Sequence, residues 1–252
     1  NIAEYRKTNR GPSTEMFDGP DESYFDGMVA NKTMQTLSRL ATTDQPFFLA
    51  VGFVKPHLPF NAPKKYWDLY NPNQFMLPPA ALPEGAPDRA YHHFGELRAY
   101  SDTPAKGPVS PEQARRLVHG YHASVSYTDA QVGKVLDKLD ELGLAENTVV
   151  VLMGDHGYSL GEHGLWCKHS TFDVATKTPL IIRAPDKPRR QVVDGLVEFI
   201  DIYPTLTDLA GIDGPKQLAG MSLAKHLSDD SLPARSAVFP RYHSAEAIHT
   251  DG

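Results

Sequence analysis

The apolar run Val149–Met153 stops abruptly at Gly154-Asp155-His156, and that change limits the folds open to this chain. Consecutive apolar residues closed by a glycine suit a strand covered on both faces, as in a parallel sheet flanked by helices. In open α/β sheets ligands gather at the carboxyl ends of strands, which is where Asp155 and His156 would stand. Lys168 follows after a loop broken by Gly157, Gly161 and Gly164. An acid, an imidazole and an ammonium at one strand end suit a metal held beside an anion. A turn in which Asp155 caps the next element and His156 is incidental fits the pair equally well.

The sequence upstream favours a sheet packed by helices. Ser110-Pro111-Glu112-Gln113 reads as a helix start, with Ser110 as the cap, Pro111 at the first helical position and Gln113 completing a capping box. Val118, Tyr121, Val125, Thr128, Val132, Val135, Leu139 and Leu142 then recur every three or four residues, the spacing of one helix face. Gly143 stands where a left-handed residue ends a helix. His119, His122 and Asp129 read as satisfied polar groups at the surface of that helix. Ser23–Leu40 predicts another helix, with Met28, Met34, Leu37 and Leu40 on one side. Asp44-Gln45-Pro46 breaks it, and Phe47–Val54 reads as a strand. Pro179–Arg183 predicts a further strand; Asp201 then caps a helix that Gly211 ends. Helix and strand alternate, so the fold class is α/β. Asn71–Pro111 is rich in proline and reads as an irregular excursion over the surface. It fits a substrate rim and an insertion without function equally well.

Composition excludes some classes. A net charge of −6 without a Lys/Arg run speaks against a nucleic-acid surface. No apolar stretch approaches the ~20 residues of a membrane span. The sole cysteine, Cys167, rules out an internal disulfide. The chain begins at Asn1 rather than Met, so the lack of a signal peptide says nothing about export.

GDHGYSLGEHGLWCKHSTFDVATKTPLII resembles the second metal-binding segment of the sulfatases, within the alkaline-phosphatase-like superfamily. FFLAVGFVKPHLPFNAPKKYWDLY (47–70), YHASVSYTDAQVGKVLDKLDELGLAENTVVVLM (121–153) and LVEFIDIYPTLTDLAGI (196–212) agree in order and spacing. The resemblance runs from Asp44 to Leu227 and is strongest to the iduronate-2-sulfatase group and its bacterial relatives.

What it implies is specific. The fold would be a sandwich of helices around a mostly parallel central sheet, incomplete at both ends. The reaction would be hydrolysis of a sulfate ester on a sulfated small molecule or glycan, in the manner of glycosaminoglycan degradation. Asp155 and His156 would be metal ligands. Spacing alone suggests a transition metal there, because calcium prefers oxygen ligands, whereas the resemblance implies Ca2+. Lys168 would bind the sulfate group. Lys55 and His57 would be a second active-site pair, stiffened by Pro56, with His57 as general acid or as sulfate donor.

The family's Cys-x-Pro/Ala-x-Arg segment, oxidised to formylglycine, and its paired N-terminal aspartates have no match in this sequence. Cys167 lacks that setting and reads as a loosely packed loop thiol. The chain therefore reads as an internal part, 1–252, of a catalytic domain, with a C-terminal subdomain missing or only begun near 235–252. By itself it would be inactive. Glu162 and His163 would shape the pocket or pack their loop, Trp166 would anchor that loop, and His169, His226, His243 and His249 would be structural. The resemblance implies a periplasmic, secreted or lysosomal site of action. A phosphodiesterase or phosphonate hydrolase of the same superfamily, or a non-catalytic descendant, are the alternatives.

Overall fold

The computed structural model describes residues 11–87, 90–188, 192–229, 232 and 235–250; the first ten and last two residues of the two terminal segments lie outside it. In chain order the elements are β1 (Thr14–Phe17), α1 (Phe25–Leu40), β2 (Phe60–Pro63), α2 (Lys64–Trp67), α3 (Gly95–Arg98) and α4 (Pro111–Glu141). They continue with β3 (Val150–Met153), β4 (Ser159–Leu160), β5 (Trp166–Cys167), α5 (Asp173–Thr176), β6 (Leu180–Arg183) and α6 (Ile202–Leu209). Short two-residue strands follow between Ala237 and Thr250. The residues fall into two units, one running to Ala145 and including Tyr158–Cys167, the other formed by Glu146–Gly157 and the chain from Lys168.

α4 is the spine of the first unit. Ser110 caps it as expected, accepting from the Gln113 N–H at 3.2 Å. The capping box does not close, because the Gln113 amide donates to the Asp102 carbonyl at 2.6 Å and to Thr103 Oγ1. Gly143 has φ +68°, the expected left-handed stop.

The buried face differs from the apolar stripe. It comprises Ala114, Leu117, Val118, His119, Gly120, Ala123, Ser124, Tyr127, Gln131 and Leu139, while Val125 is exposed. Small residues explain the rotation, since they let β2 come close. A Cβ on Gly120 would lie 2.9 Å from Phe60 Cβ and from the Trp67 ring. Phe60 and Trp67 are almost fully buried against it, each contributing roughly 2–3 kcal/mol of apolar burial.

α1 shows the same departure. It buries Asp26, Gly27, Ala30, Thr33 and Leu37, and leaves the expected Met28 exposed. Tyr127 joins the two helices: the Gly27 N–H donates to its hydroxyl at 2.6 Å, and that hydroxyl donates to the Asp21 carbonyl at 2.9 Å. The Asp21 carboxylate meets Lys134 Nζ at 2.6 Å, Lys65 Nζ at 2.7 Å, the Tyr66 hydroxyl at 3.0 Å and Gln131 Nε2 at 3.2 Å. Burial pushes its pKa up, but hydrogen bonds from Lys134 and Lys65, then Gln131 and Tyr66, prevail and hold it at about 2.

β1 and β2 pair in parallel, from Thr14 opposite Phe60 to Phe17 opposite Pro63. Phe47–Val54, read as a strand, carries no ladder among the described residues. Its side chains do alternate between half-buried and exposed, and Phe48 is 82 % exposed. The period of a strand is present, but no neighbour supplies the pairing that would make it one.

The proline-rich stretch is not a mere surface excursion. Phe94, Leu97 and Tyr100 are buried in the same cluster as Leu58, Phe60, Leu117 and Val118. Arg98 ties the stretch together, donating to the carbonyls of His93, Pro104 and Gly107 at 2.6–2.7 Å while lying 3.9 Å over the Phe94 ring.

In the second unit β3 pairs antiparallel with β6, from Val150 opposite Arg183 to Met153 opposite Leu180. Leu152, Met153 and Ile181 are exposed, so this apolar run is only partly covered. A two-stranded ladder presents more apolar surface than its own side chains can hide. Asp201 is fully buried at the entrance to α6 and accepts from the N–H groups of Met221 and Glu198 at 2.8 and 2.9 Å and from Arg235. Its capping bond belongs to a box with Glu198 around the preceding turn. Gly211 ends the helix with φ +65°.

Candidate functional site

Asp26 sits in the first turn of α1, where the helix dipole favours an anion. Its carboxylate is 1 % exposed and accepts from the Val54 N–H at 2.9 Å and the Lys55 N–H at 2.8 Å. α4 adds a third tie, the Thr128 hydroxyl donating to the Lys55 carbonyl at 3.2 Å. The turn that carries Lys55 and His57 is therefore fixed through its backbone.

Lys55 folds back over this turn. Its Nζ donates to the carbonyls of His57 at 2.8 Å and Pro59 at 2.7 Å. Burial lowers its pKa to about 8, with Asp26 pulling in the opposite direction. The His57 ring has Nδ1 2.7 Å from the Leu58 carbonyl oxygen and Nε2 2.9 Å from Glu96 Oε1. Both partners are acceptors when Glu96 is ionised, so a ring with hydrogens on both nitrogens satisfies both contacts.

The second expected cluster lies in the other unit. β3 ends at Gly154, whose N–H donates to the Pro179 carbonyl at 3.1 Å. His156 Nδ1 stands 2.7 Å from the Gly157 carbonyl, which requires the hydrogen on that nitrogen. Nε2 faces Asp155, whose Oδ2 lies 3.5 Å away on a side chain 83 % exposed. Gly157 is needed here, because a Cβ would meet the Val174 carbonyl oxygen at 2.1 Å. Asp155 and His156 thus converge, one offering oxygen and one nitrogen. Among the described residues no group of three or more His, Cys, Asp or Glu side chains stands ready for an ion, whereas calcium takes 6–8 oxygen ligands. Lys168 follows β5, half-buried, its carbonyl accepting from the Ser170 N–H at 2.9 Å.

The loop between these segments corrects one expectation. Cys167 is not loosely packed. It is 0 % exposed, has φ +72° and pairs with Ser159 across β4 and β5. Two-residue strands are too short to leave a periodic trace in sequence, so the hairpin was invisible there. Trp166 is buried as expected. Glu162 accepts from the Leu160 N–H at 2.5 Å, while the His163 N–H donates to Pro79 at 3.0 Å and its Nδ1 reaches Ala81 at 3.1 Å. Both residues pack their loop.

His119 is buried rather than superficial, with Nε2 2.8 Å from the Trp67 carbonyl. His249 pairs with Asp173 at 2.8 Å, and His169 stacks near Tyr242. Asp26 and Glu96 escaped the sequence reading. The first looks like any acid in a helix's opening turn, and the second stands alone in a proline-rich stretch.

The sulfatase family model matches residues 2–212. The chain belongs to the sulfatase family. Iduronate 2-sulfatase of Homo sapiens is 36% identical over 84% of this chain and 46% of that protein. This sulfatase chain spans about half the length of the curated relatives it matches. Among solved structures, the phosphonate monoester hydrolase SpPMH from Silicibacter pomeroyi superposes with a TM-score of 0.76 at 28% identity, covering 88% of this chain and 45% of that one. A protein solved in complex with its substrate D-glucosamine-2-N,6-O-disulfate gives a TM-score of 0.52 at 28% identity, over 55% of this chain and 31% of that one. The fold is the alkaline-phosphatase-like fold of the sulfatases, represented here by an α/β portion of it.

Proposed function

We propose that this sulfatase hydrolyses a sulfate ester on a sulfated sugar or glycosaminoglycan. The Lys55–His57 turn carries the reading: a desolvated ammonium and an imidazole are held side by side by buried backbone ties. In this reading Lys55 and Lys168 neutralise the sulfuryl oxygens, a task that suits compact ammonium groups. His57 contacts the ester oxygen as sulfate donor or general acid. Asp155 and His156 would hold a divalent cation, Ca2+ by family, which when bound would offset charge on the ester oxygens. Two donors are a partial set, so its other ligands lie outside this chain.

Cys167 is buried and lacks the nucleophile's sequence setting. The nucleophile, a formylglycine in this reading, is also supplied from outside, and the chain alone turns nothing over. The chain would then belong to a catalytic domain acting in a periplasmic, secreted or lysosomal space. Among the described residues no helix is long and apolar enough to cross a membrane.

The full-length protein, assayed with para-nitrophenyl sulfate, sulfated disaccharides and a phenyl phosphonate, tests the reaction. Sulfate esters should lead in kcat/KM by about a hundredfold or more. The second reading, phosphonate ester hydrolysis, is favoured by the likeness to SpPMH, and the reverse preference would establish it. Robust turnover of para-nitrophenyl sulfate by the 252-residue chain alone would overturn the assignment of the nucleophile.

A further inference from the structure

Resting on the reading of His57 just given, we propose that Glu96 is the positioning residue of His57: it holds the ring doubly protonated and yields the Nε2 hydrogen to the ester oxygen of bound substrate. Glu96 Oε1 stands 2.9 Å from His57 Nε2, and the Glu96 side chain is only 13 % exposed. Nδ1 is already committed to the Leu58 carbonyl at 2.7 Å. A neutral imidazole offers one hydrogen and one lone pair, so it would set a lone pair against one of these oxygens. The imidazolium satisfies both, and a partly desolvated carboxylate opposite it stabilises that charge.

The segment that delivers Glu96 is built for the purpose. Phe94 holds φ +41°, in the left-handed region, with its side chain 1 % exposed. Such a conformation is unfavourable for a bulky residue and persists only where the surroundings over-determine it. Here Arg98 stacks on Phe94 and binds three carbonyls, while Leu97 and Phe94 share a buried cluster with Leu58, the neighbour of His57.

Among the described residues, the charged and titratable groups around the pair include Lys55, on the His57 and Pro59 carbonyls, Asp26, on the Val54 and Lys55 amides, and Tyr158, whose phenol feels Glu96. Lys55 opposes protonation of His57; Glu96 and Asp26 favour it. An anionic ester brings its own oxygens to Nε2, so it can replace the carboxylate without leaving the donor unpaired. The nucleophile's hydroxyl gives up its proton to a carboxylate base that accompanies it, and its oxygen forms the new S–O bond as the old one breaks. The bonding pair stays on the leaving oxygen, which takes the Nε2 proton and leaves His57 neutral.

NMR titration of the histidine rings in the chain as it stands tests the ground state. His57 should titrate about one pH unit or more above an ordinary histidine, near ~6.5, and Glu96→Gln should lower that midpoint by about one unit. A wild-type midpoint at or below the ordinary value overturns the proposal, and needs no variant to fold. In the full-length enzyme acting on an alkyl sulfate, Glu96→Gln should move the alkaline limb of kcat about one unit toward acid, and Glu96→Asp should recover part of the shift. A purely structural Glu96 would lower Tm and leave the limb in place, which also overturns the proposal. His57→Gln separates the two readings. Retained activity there removes the role of His57 itself, whereas lost activity with an unmoved Glu96→Gln limb removes only the role of Glu96.

Discussion

The two clusters assigned to the proposed reaction are constructed on opposite plans. Lys55 and His57 sit between two enclosed carboxylates, Asp26 behind their backbone and Glu96 against the imidazole. Asp155 and His156 occupy the end of a two-stranded ladder, where the carboxylate faces solvent. The first cluster owes its shape to packing within its own unit. The second is tied by the imidazole hydrogen on Gly157 and by the backbone bonds of Gly154 and Gly157 to Pro179 and Ala175. On the proposed reading, the enclosed cluster would orient the ester and the open one would receive further ligands.

Five expected effects probe that contrast. Asp155→Ala in the full-length enzyme should lower kcat/KM by about a thousandfold, ~4 kcal/mol of transition-state stabilisation. In this chain its urea midpoint should not move, since solvent-facing substitutions stay within roughly 0.5 kcal/mol. A large stability loss would break the contrast. Asp21→Asn, which leaves Lys65 and Lys134 facing an amide, should destabilise the first unit by about 3 kcal/mol in urea unfolding.

The same carboxylate predicts acid sensitivity. Its folded pKa, about 2, lies below the ordinary 3.8, so its contribution is present above pH 4 and fades as pH falls toward 2. About 2 kcal/mol should be lost across that window, and stability that stays flat there would count against the network.

Asp26→Asn should cost about 2 kcal/mol, because the Val54 and Lys55 hydrogens go to different carboxylate oxygens and an amide offers one acceptor while its NH2 faces the other N–H. It should also slow the full-length enzyme about tenfold by loosening the turn. A variant that loses rate but no stability would show that Asp26 does not brace the backbone. Lys55 differs from Asp21 in that burial disfavours its charge. Its folded pKa, about 8, lies below the ordinary 10.5. The cost of burying its charge is fully present below pH 8 and is relieved as pH rises to 10.5, so stability should climb across that range, and a flat profile would count against a buried ammonium.

Much of this was legible in the sequence. The long helix, its serine cap and its glycine stop followed from local rules that packing did not override. The Lys55, His57, Asp155, His156 and Lys168 positions followed from resemblance to the sulfatases. What stayed hidden depends on tertiary approach. The stripe of Val118, Val125 and Val132 pointed to one face of α4, yet Gly120, Ala123 and Ser124 decided the contact because their smallness admits Phe60 and Trp67. Phe47–Val54 has the composition and period of a strand, but strand formation is a property of pairs, and no ladder partner is found for it among the described residues. Glu96 lies 39 positions beyond His57 in a stretch without periodicity, so no local rule could join them.

The guanidinium of Arg98 spends three nitrogens on carbonyls drawn from both sides of α3. That knot separates length from register. Residues could be added to or removed from the outer span between Met76 and Tyr91 without tugging on the knot. That span could then vary in sequence while the contact between His57 and Glu96 stays where it is.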